Sequence, residues 1–197
     1  MAGNDKKSPS RWRLIVVGGH TRSIGKTQLV CDVISAFRPA NWIAGKITQY
    51  GHGVCAQNGE NCGCAPDEHV CAINWETQLL RAALQQTIEA GTTELRPVIV
   101  ESNSLLQFLK PSLYLAVVDP GKEDFKDSAR VALDRADALV LRGSSHTFPS
   151  RGPAWVKLPP QLLRERPWVS QGEGEPLPEP LRLLVQRMLE GPASVWI

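Results

Sequence analysis

Apolar residues recur along this chain in two rhythms. Arg13 to Gly18 (RLIVVG) is an unbroken aliphatic, largely β-branched run ended by glycine, the composition of a strand buried on both faces of a parallel sheet. Between Lys26 and Phe37 the pattern changes: Leu29, Val30, Val33, Ile34 and Phe37 return every three or four positions, which marks one face of a helix, and Pro39 closes the segment. Trp42 to Thr48, Pro97 to Glu101, Leu113 to Asp119 and Ala138 to Leu141 read as further strands, and the third and fourth of these five strands end on a carboxylate. Helical spacing reappears from Ile73 to Ala90, stopped by Gly91, and again at Phe125 to Ala136 and Pro180 to Leu189. One or two helical turns are expected around Leu105 to Leu109. Alternating strands and helices predict an α/β fold: three layers, a mostly parallel sheet with helices on both faces, joined by right-handed crossovers.

Composition sets the scale. With 197 residues, 42% of them hydrophobic, the chain can bury one sizeable core, so residues 11–197 are expected to form a single domain. Residues 1–10 are polar and read as a disordered leader, residues 50–72 as a Cys-rich insertion loop, and residues 143–197 as a Pro- and Gly-rich C-terminal extension. The 22 basic and 20 acidic side chains nearly cancel, which argues against general nucleic-acid binding. No apolar run is long enough for a membrane span or a signal peptide, so a cytoplasmic protein is expected.

The candidate chemistry begins where the first strand meets the first helix. Gly18-Gly19-His20-Thr21-Arg22-Ser23-Ile24-Gly25-Lys26-Thr27 ends in Gly-Lys-Thr, in the strand-turn-helix context of a phosphate-binding loop. Glycines let backbone N–H groups converge on phosphate oxygens, and the helix N-terminus adds partial positive charge. Lys26 is placed to reach the β- and γ-phosphates of a nucleoside triphosphate, ATP or GTP, and the Thr27 hydroxyl to ligate magnesium. The nucleotide-binding set is therefore Gly19, His20, Thr21, Arg22, Ser23, Ile24, Gly25, Lys26, Thr27 and Gln28. Five residues separate Gly19 from Gly25, one more than the usual four.

This five-residue spacing resembles a branch of the P-loop nucleoside triphosphatases, within the SIMIBI class. The branch contains the dethiobiotin synthetases and the B protein of molybdopterin-guanine dinucleotide biosynthesis. Further landmarks are similar to theirs. Lys46, in Ala44-Gly45-Lys46-Ile47-Thr48, matches the synthetase lysine that faces phosphate and substrate. Glu101, ending Val98-Ile99-Val100-Glu101, matches the acidic residue that helps hold magnesium, and Asp119, ending Val117-Val118-Asp119, falls at the active-site rim. The resemblance implies the P-loop hydrolase fold, catalytic roles for Lys26, Lys46, Glu101 and Asp119, magnesium on Thr27 and Glu101, and a homodimer. It departs at Ser102-Asn103-Ser104, where the family has glycine, and at Arg142-Gly143-Ser144-Ser145, which holds no guanine-reading motif.

Cys55, Cys62, Cys64 and Cys71 are spaced C-x6-C-x-C-x6-C, with Gly51, Gly53, Gly59 and Gly63 supplying turns that would let four thiolates converge. Four soft ligands suit zinc or an iron–sulfur cluster rather than magnesium, and free thiols or disulfides are the remaining alternative. The spacing matches neither the paired zinc pattern nor the ferredoxin runs, so it does not choose between them. His52 and His69 stand beside the cluster as substitutes for a thiolate, and Cys31, in the first helix, is read as core packing.

Three functions follow. The first is an enzyme transferring a phosphoryl or nucleotidyl group to a small anionic substrate, or activating a carboxylate, in cofactor biosynthesis. The second is a nucleotide-gated metallochaperone or maturation factor acting on a client metalloprotein, similar in outline to the nickel-handling GTPases. The third is a regulatory switch with a structural zinc. Metal analysis with visible spectroscopy on anaerobically purified protein tests the cysteine reading: bound metal is expected, colourless for zinc or brown for iron–sulfur. Metal-free protein in which Cys55, Cys62, Cys64 and Cys71 all titrate as free thiols contradicts it.

Overall fold

The computed structural model describes residues 11–47, 96–142, 158, 164–191 and 194–195. The expected leader, the cysteine loop, the helix at Ile73 to Ala90 and most of residues 143–163 lie outside these. Strands β1 (Arg11–Trp12), β2 (Leu14–Gly19), β3 (Ile43–Lys46), β4 (Val98–Glu101), β5 (Leu113–Val118), β6 (Ala138–Leu141), β7 (Trp168–Ser170) and β8 (Ser194–Val195) are joined by helices α1 (Lys26–Ala36), α2 (Asp127–Arg130) and α3 (Glu179–Glu190). Six strands form one sheet in the order β3-β4-β2-β5-β6-β7, every pair parallel, while β1 and β8 pair antiparallel on their own.

Strand alternation divides the core in two. Leu14, Val16, Val98, Val100, Tyr114, Ala116, Val118, Leu139 and Leu141 point to one face. Ile15, Val17, Ile99, Leu113, Leu115, Val117, Ala138 and Val140 point to the other. Both faces are buried, which is why the strands read as continuous apolar runs. α1 covers the second face through Leu29, Val30 and Val33, and α3 through Leu181 and Val185. The first face is covered by Leu105, Leu106, Phe125, Ala129, Leu133 and Ala136, carried by short 3-10 turns at Ser104–Gln107 and Leu133–Arg135 together with α2. The result is the three-layer α/β architecture. Each fully buried aliphatic side chain contributes about 1.5–3 kcal/mol, so these stripes outweigh local propensity.

Two expectations are corrected and a third is extended. The helix at Phe125 to Ala136 is broken into α2 and a 3-10 turn. Lys126, still extended, is the N-cap, and after Arg130 the backbone bonds tighten to three-residue spacing, Ala132 N–H to Ala129 O and Arg135 N–H to Ala132 O, which ends the α-helix. Cys31 is exposed, because the buried stripe runs through Leu29 and Val33 and a residue two positions on from Leu29 faces the opposite side. The C-terminal extension supplies a sheet strand, β7, beside β6. Pro167 precedes it and offers only its carbonyl, which accepts from Leu139 N–H, as suits the start of an edge strand. No described helix is long and apolar enough to cross a membrane.

Candidate functional site

The chain builds β3 and β4 to one side of β2, then β5, β6 and β7 to the other. The carboxyl end of β2 is therefore the switch point of the sheet, the place where open α/β folds bind ligands. Residues 20–25 leave β2 there and return into α1 at Lys26. Gly25, at φ 81°, makes the left-handed turn that starts the helix. Gly19 lies so close to β5 that an added Cβ would sit 2.9 Å from Val117 O and 2.7 Å from Ile24 Cδ1. Asn103 holds both backbone groups of Gly19: its Oδ1 accepts from Gly19 N–H at 2.7 Å, and its Nδ2 donates to Gly19 O at 2.8 Å.

Parallel register sets the next pair. Lys46 lies directly opposite Glu101 at the carboxyl ends of β3 and β4, and Glu101 lies opposite Val17 of β2. Glu101 is 7% exposed, so its charge needs partners. Lys46 Nζ lies 3.2 Å from Glu101 Oε2, and the Thr27 hydroxyl donates to the same oxygen at 2.5 Å. Lys46 also donates to Thr27 Oγ1 at 3.1 Å. A cation thus already bridges a carboxylate and a hydroxyl oxygen, the hard donor types that magnesium takes, and the residues fit that ion. Lys26 Nζ donates to Thr21 O at 2.7 Å. Burial pushes its pKa down; Glu101 opposes this, while Lys126, Lys46 and Lys122 reinforce it.

The segment after β5 clasps the loop from the other side. His20 is fully buried, its backbone N–H donating to Val117 O at 3.3 Å and its Nδ1 accepting from Asp119 N–H at 3.4 Å. Its ring lies 5.4 Å from that of Phe125. Thr21 Oγ1 donates to Asp124, and Lys122 Nζ to Ser23 O at 2.6 Å. Sequence reasoning missed Lys122 and Asp124, which sit in a stretch with no motif, and Lys126, which lay at the start of an expected helix with nothing to mark it.

No protein-family model matches the chain, and no curated protein matches it in sequence.

The candidate residues therefore sort by geometry alone. Lys26, Thr27, Lys46 and Glu101 come together, and a cleft of about 430 Å³ opens beside them, lined also by Arg22, Ser23 and Asn103. Asp119 does not line it; its carboxylate accepts from Gly121 N–H at 3.0 Å and shapes its own turn. Ile24 is core, and Gln28 turns along the helix to Asp32 Oδ1 at 2.8 Å. A further network was not anticipated. Arg142, 8% exposed at the end of β6, pairs with Asp32 of α1 at 3.2 Å and with Gln171 at 3.0 Å, locking α1 to the strand ends. Cys55, Cys62, Cys64 and Cys71 lie outside the described residues.

His20 gives a pH test. Burial depresses its pKa below the ordinary 6.5, against smaller opposing effects of backbone hydrogen bonds and Asp119. Above 6.5 the imidazole is neutral in both folded and unfolded chains. Below it the unfolded chain takes up a proton first, so stability falls as pH drops toward the lower folded value. Thermal melts should show a larger loss of Tm between about pH 7.5 and about pH 5.5 for the wild type than for His20→Gln. Equal losses contradict this placement of His20.

Proposed function

We propose that this chain binds a nucleoside triphosphate, ATP or GTP, with magnesium at the carboxyl end of β2. It uses the nucleotide to transfer a phosphoryl or nucleotidyl group to a small anionic substrate, or to activate that substrate's carboxylate. The observation that carries this reading is the convergence of Lys26, Thr27, Lys46 and Glu101 around a glycine loop that runs from a buried strand into a helix. Similarity of the loop and its landmarks to the dethiobiotin synthetase and molybdopterin-guanine dinucleotide branch supports the same chemistry. By that similarity the setting is cofactor biosynthesis, in a cytoplasmic homodimer.

Each residue has a defined task. Backbone N–H groups of residues 22–27 cradle the phosphate oxygens, and Lys26 exchanges the Thr21 carbonyl for the β- and γ-phosphates. Thr27 and Glu101 hold magnesium, which when bound neutralises phosphate charge and orients the terminal group. Lys46 then leaves the pair of oxygens it bridges and places its charge on the transferring group. Asn103 keeps Gly19 in position, so the cradle is formed before the nucleotide arrives.

A second reading rests on the cysteine loop, which starts shortly after Lys46: a zinc or iron–sulfur site whose handling is gated by the nucleotide, in a metallochaperone or maturation factor. Both readings require the triphosphate. Lys26→Ala should weaken magnesium-triphosphate binding about 10–100-fold by isothermal titration calorimetry, the loss of about 1.5–3 kcal/mol expected for a hydrogen bond to a charged group. Undiminished affinity in the variant contradicts the proposal.

A further inference from the structure

The cleft carries a cation that the reading above leaves without a task, and it lies on one wall. Four cations line the cleft, Arg22, Lys26, Lys46 and Lys126, against the single carboxylate of Glu101. On the reading above, which this inference rests on, Lys26 and Lys46 serve the nucleotide. Lys126 has no such assignment. Its ammonium makes no hydrogen bond or ion pair among the described residues, although its backbone N–H is fixed on His20 O. Burial and the neighbouring Arg22 both disfavour its charge, with Asp124 the only opposing influence. Among the like charges acting on Lys26, that of Lys126 acts most strongly, ahead of Lys46 and Lys122. A half-buried ammonium with a cation beside it gains from an anion that joins it.

The rest of that wall is suited to an oxyanion. Ser104 follows β4, Ser128 lies in α2 and Ile47 follows β3, so three elements other than the phosphate loop contribute. They belong to the face covered by α2 and the 3-10 turns, whereas the helix carrying Lys26 and Thr27 covers the opposite face. A triphosphate seated over the start of α1 leaves this wall open.

We propose that the wall is a second anion subsite. Lys126, with the Ser128 hydroxyl, holds a phosphate or carboxylate group of the acceptor beside the terminal phosphate of the nucleotide. Lys126 is thereby a specificity residue for the acceptor and not a ligand of the triphosphate. Its ammonium sets the acceptor class: a small molecule carrying at least one full negative charge away from its reacting atom.

The test uses the full chain loaded with magnesium and a non-hydrolysable triphosphate analogue, titrated calorimetrically with inorganic phosphate and, separately, with malonate. At least one of the two probes should bind the loaded wild type; which one does tells phosphate from carboxylate. Lys126→Ala should weaken that binding about tenfold or more and Lys126→Arg restore it, while triphosphate affinity stays within about threefold of wild type. Three results overturn the inference: no probe binds the loaded wild type, Lys126→Ala binds the probe as well as wild type does, or it loses triphosphate affinity as Lys26→Ala does. If the wild type binds no triphosphate, the functional reading fails separately. The subsite is then judged on the free protein, where probe binding must be lost in Lys126→Ala and kept in Lys26→Ala; any other pattern overturns it.

Discussion

A carboxylate that is nearly out of water has to be paired, and the pairing of Glu101 organises the edge of the sheet where the site lies. Glu101 ends β4 at 7% exposure, and its partners come from two other elements: Thr27 in the first turn of α1 and Lys46 at the end of β3. Three pieces of the fold, the first turn of α1 and the ends of β3 and β4, are tied at one oxygen, Oε2. Removing either partner would leave the charge with one partner fewer, a cost that the water reaching Lys46, 52% exposed, holds to about 1 kcal/mol. The arrangement is also the one that a hard divalent cation would use, so the interaction that holds the edge together is the interaction the proposed chemistry would exchange.

The loop next to this pair is positioned from both flanks. β4 supplies Asn103, which binds the two backbone groups of Gly19, and β5 supplies Val117 and the segment through Lys126, which bind His20, Thr21 and Ser23. Central placement of β2 makes this double clasp available, since only an interior strand has neighbours on each side. Arg142 adds a third tie midway along α1 by joining Asp32 to the ends of β6 and β7. Preorganisation of this kind leaves little of the ordering cost to be met at binding.

Much of the fold was legible in the sequence because strands buried on both faces announce themselves as apolar runs. The strands holding Ile15, Ile99, Leu115 and Leu139 were each found within a residue or two of their bounds. Lys26 and Thr27 were singled out by the Gly-Lys-Thr motif between a strand and a helix, and Lys46 and Glu101 by the resemblance of their strand ends to a known family; the four lie near one another in the fold. What escaped lies where tertiary contacts override local pattern. β7 has only three residues, too few for any period, and joins the sheet through β6. The helix after Phe125 gives way to three-residue backbone spacing after Arg130, and its N-cap, Lys126, is held on His20 by a backbone bond spanning more than a hundred residues of sequence. Asn103 stood out only as a departure from a glycine pattern, and its role became visible once Gly19 lay beside it. Cys31 was misplaced because a helical stripe leaves one of every few neighbours facing outward.

On the proposed function, a divalent metal that arrives with a triphosphate replaces the Lys46 ammonium between Thr27 and Glu101. A crystal structure with manganese and a non-hydrolysable triphosphate analogue tests this exchange. An anomalous peak is expected, ligated by Thr27 Oγ1 and a phosphate oxygen, close to the Glu101 carboxylate, with the phosphates in the cradle of residues 19–27 and Lys46 moved off the pair. Nucleotide bound elsewhere, or manganese absent from Thr27 and Glu101 with Lys46 still in place, would contradict it.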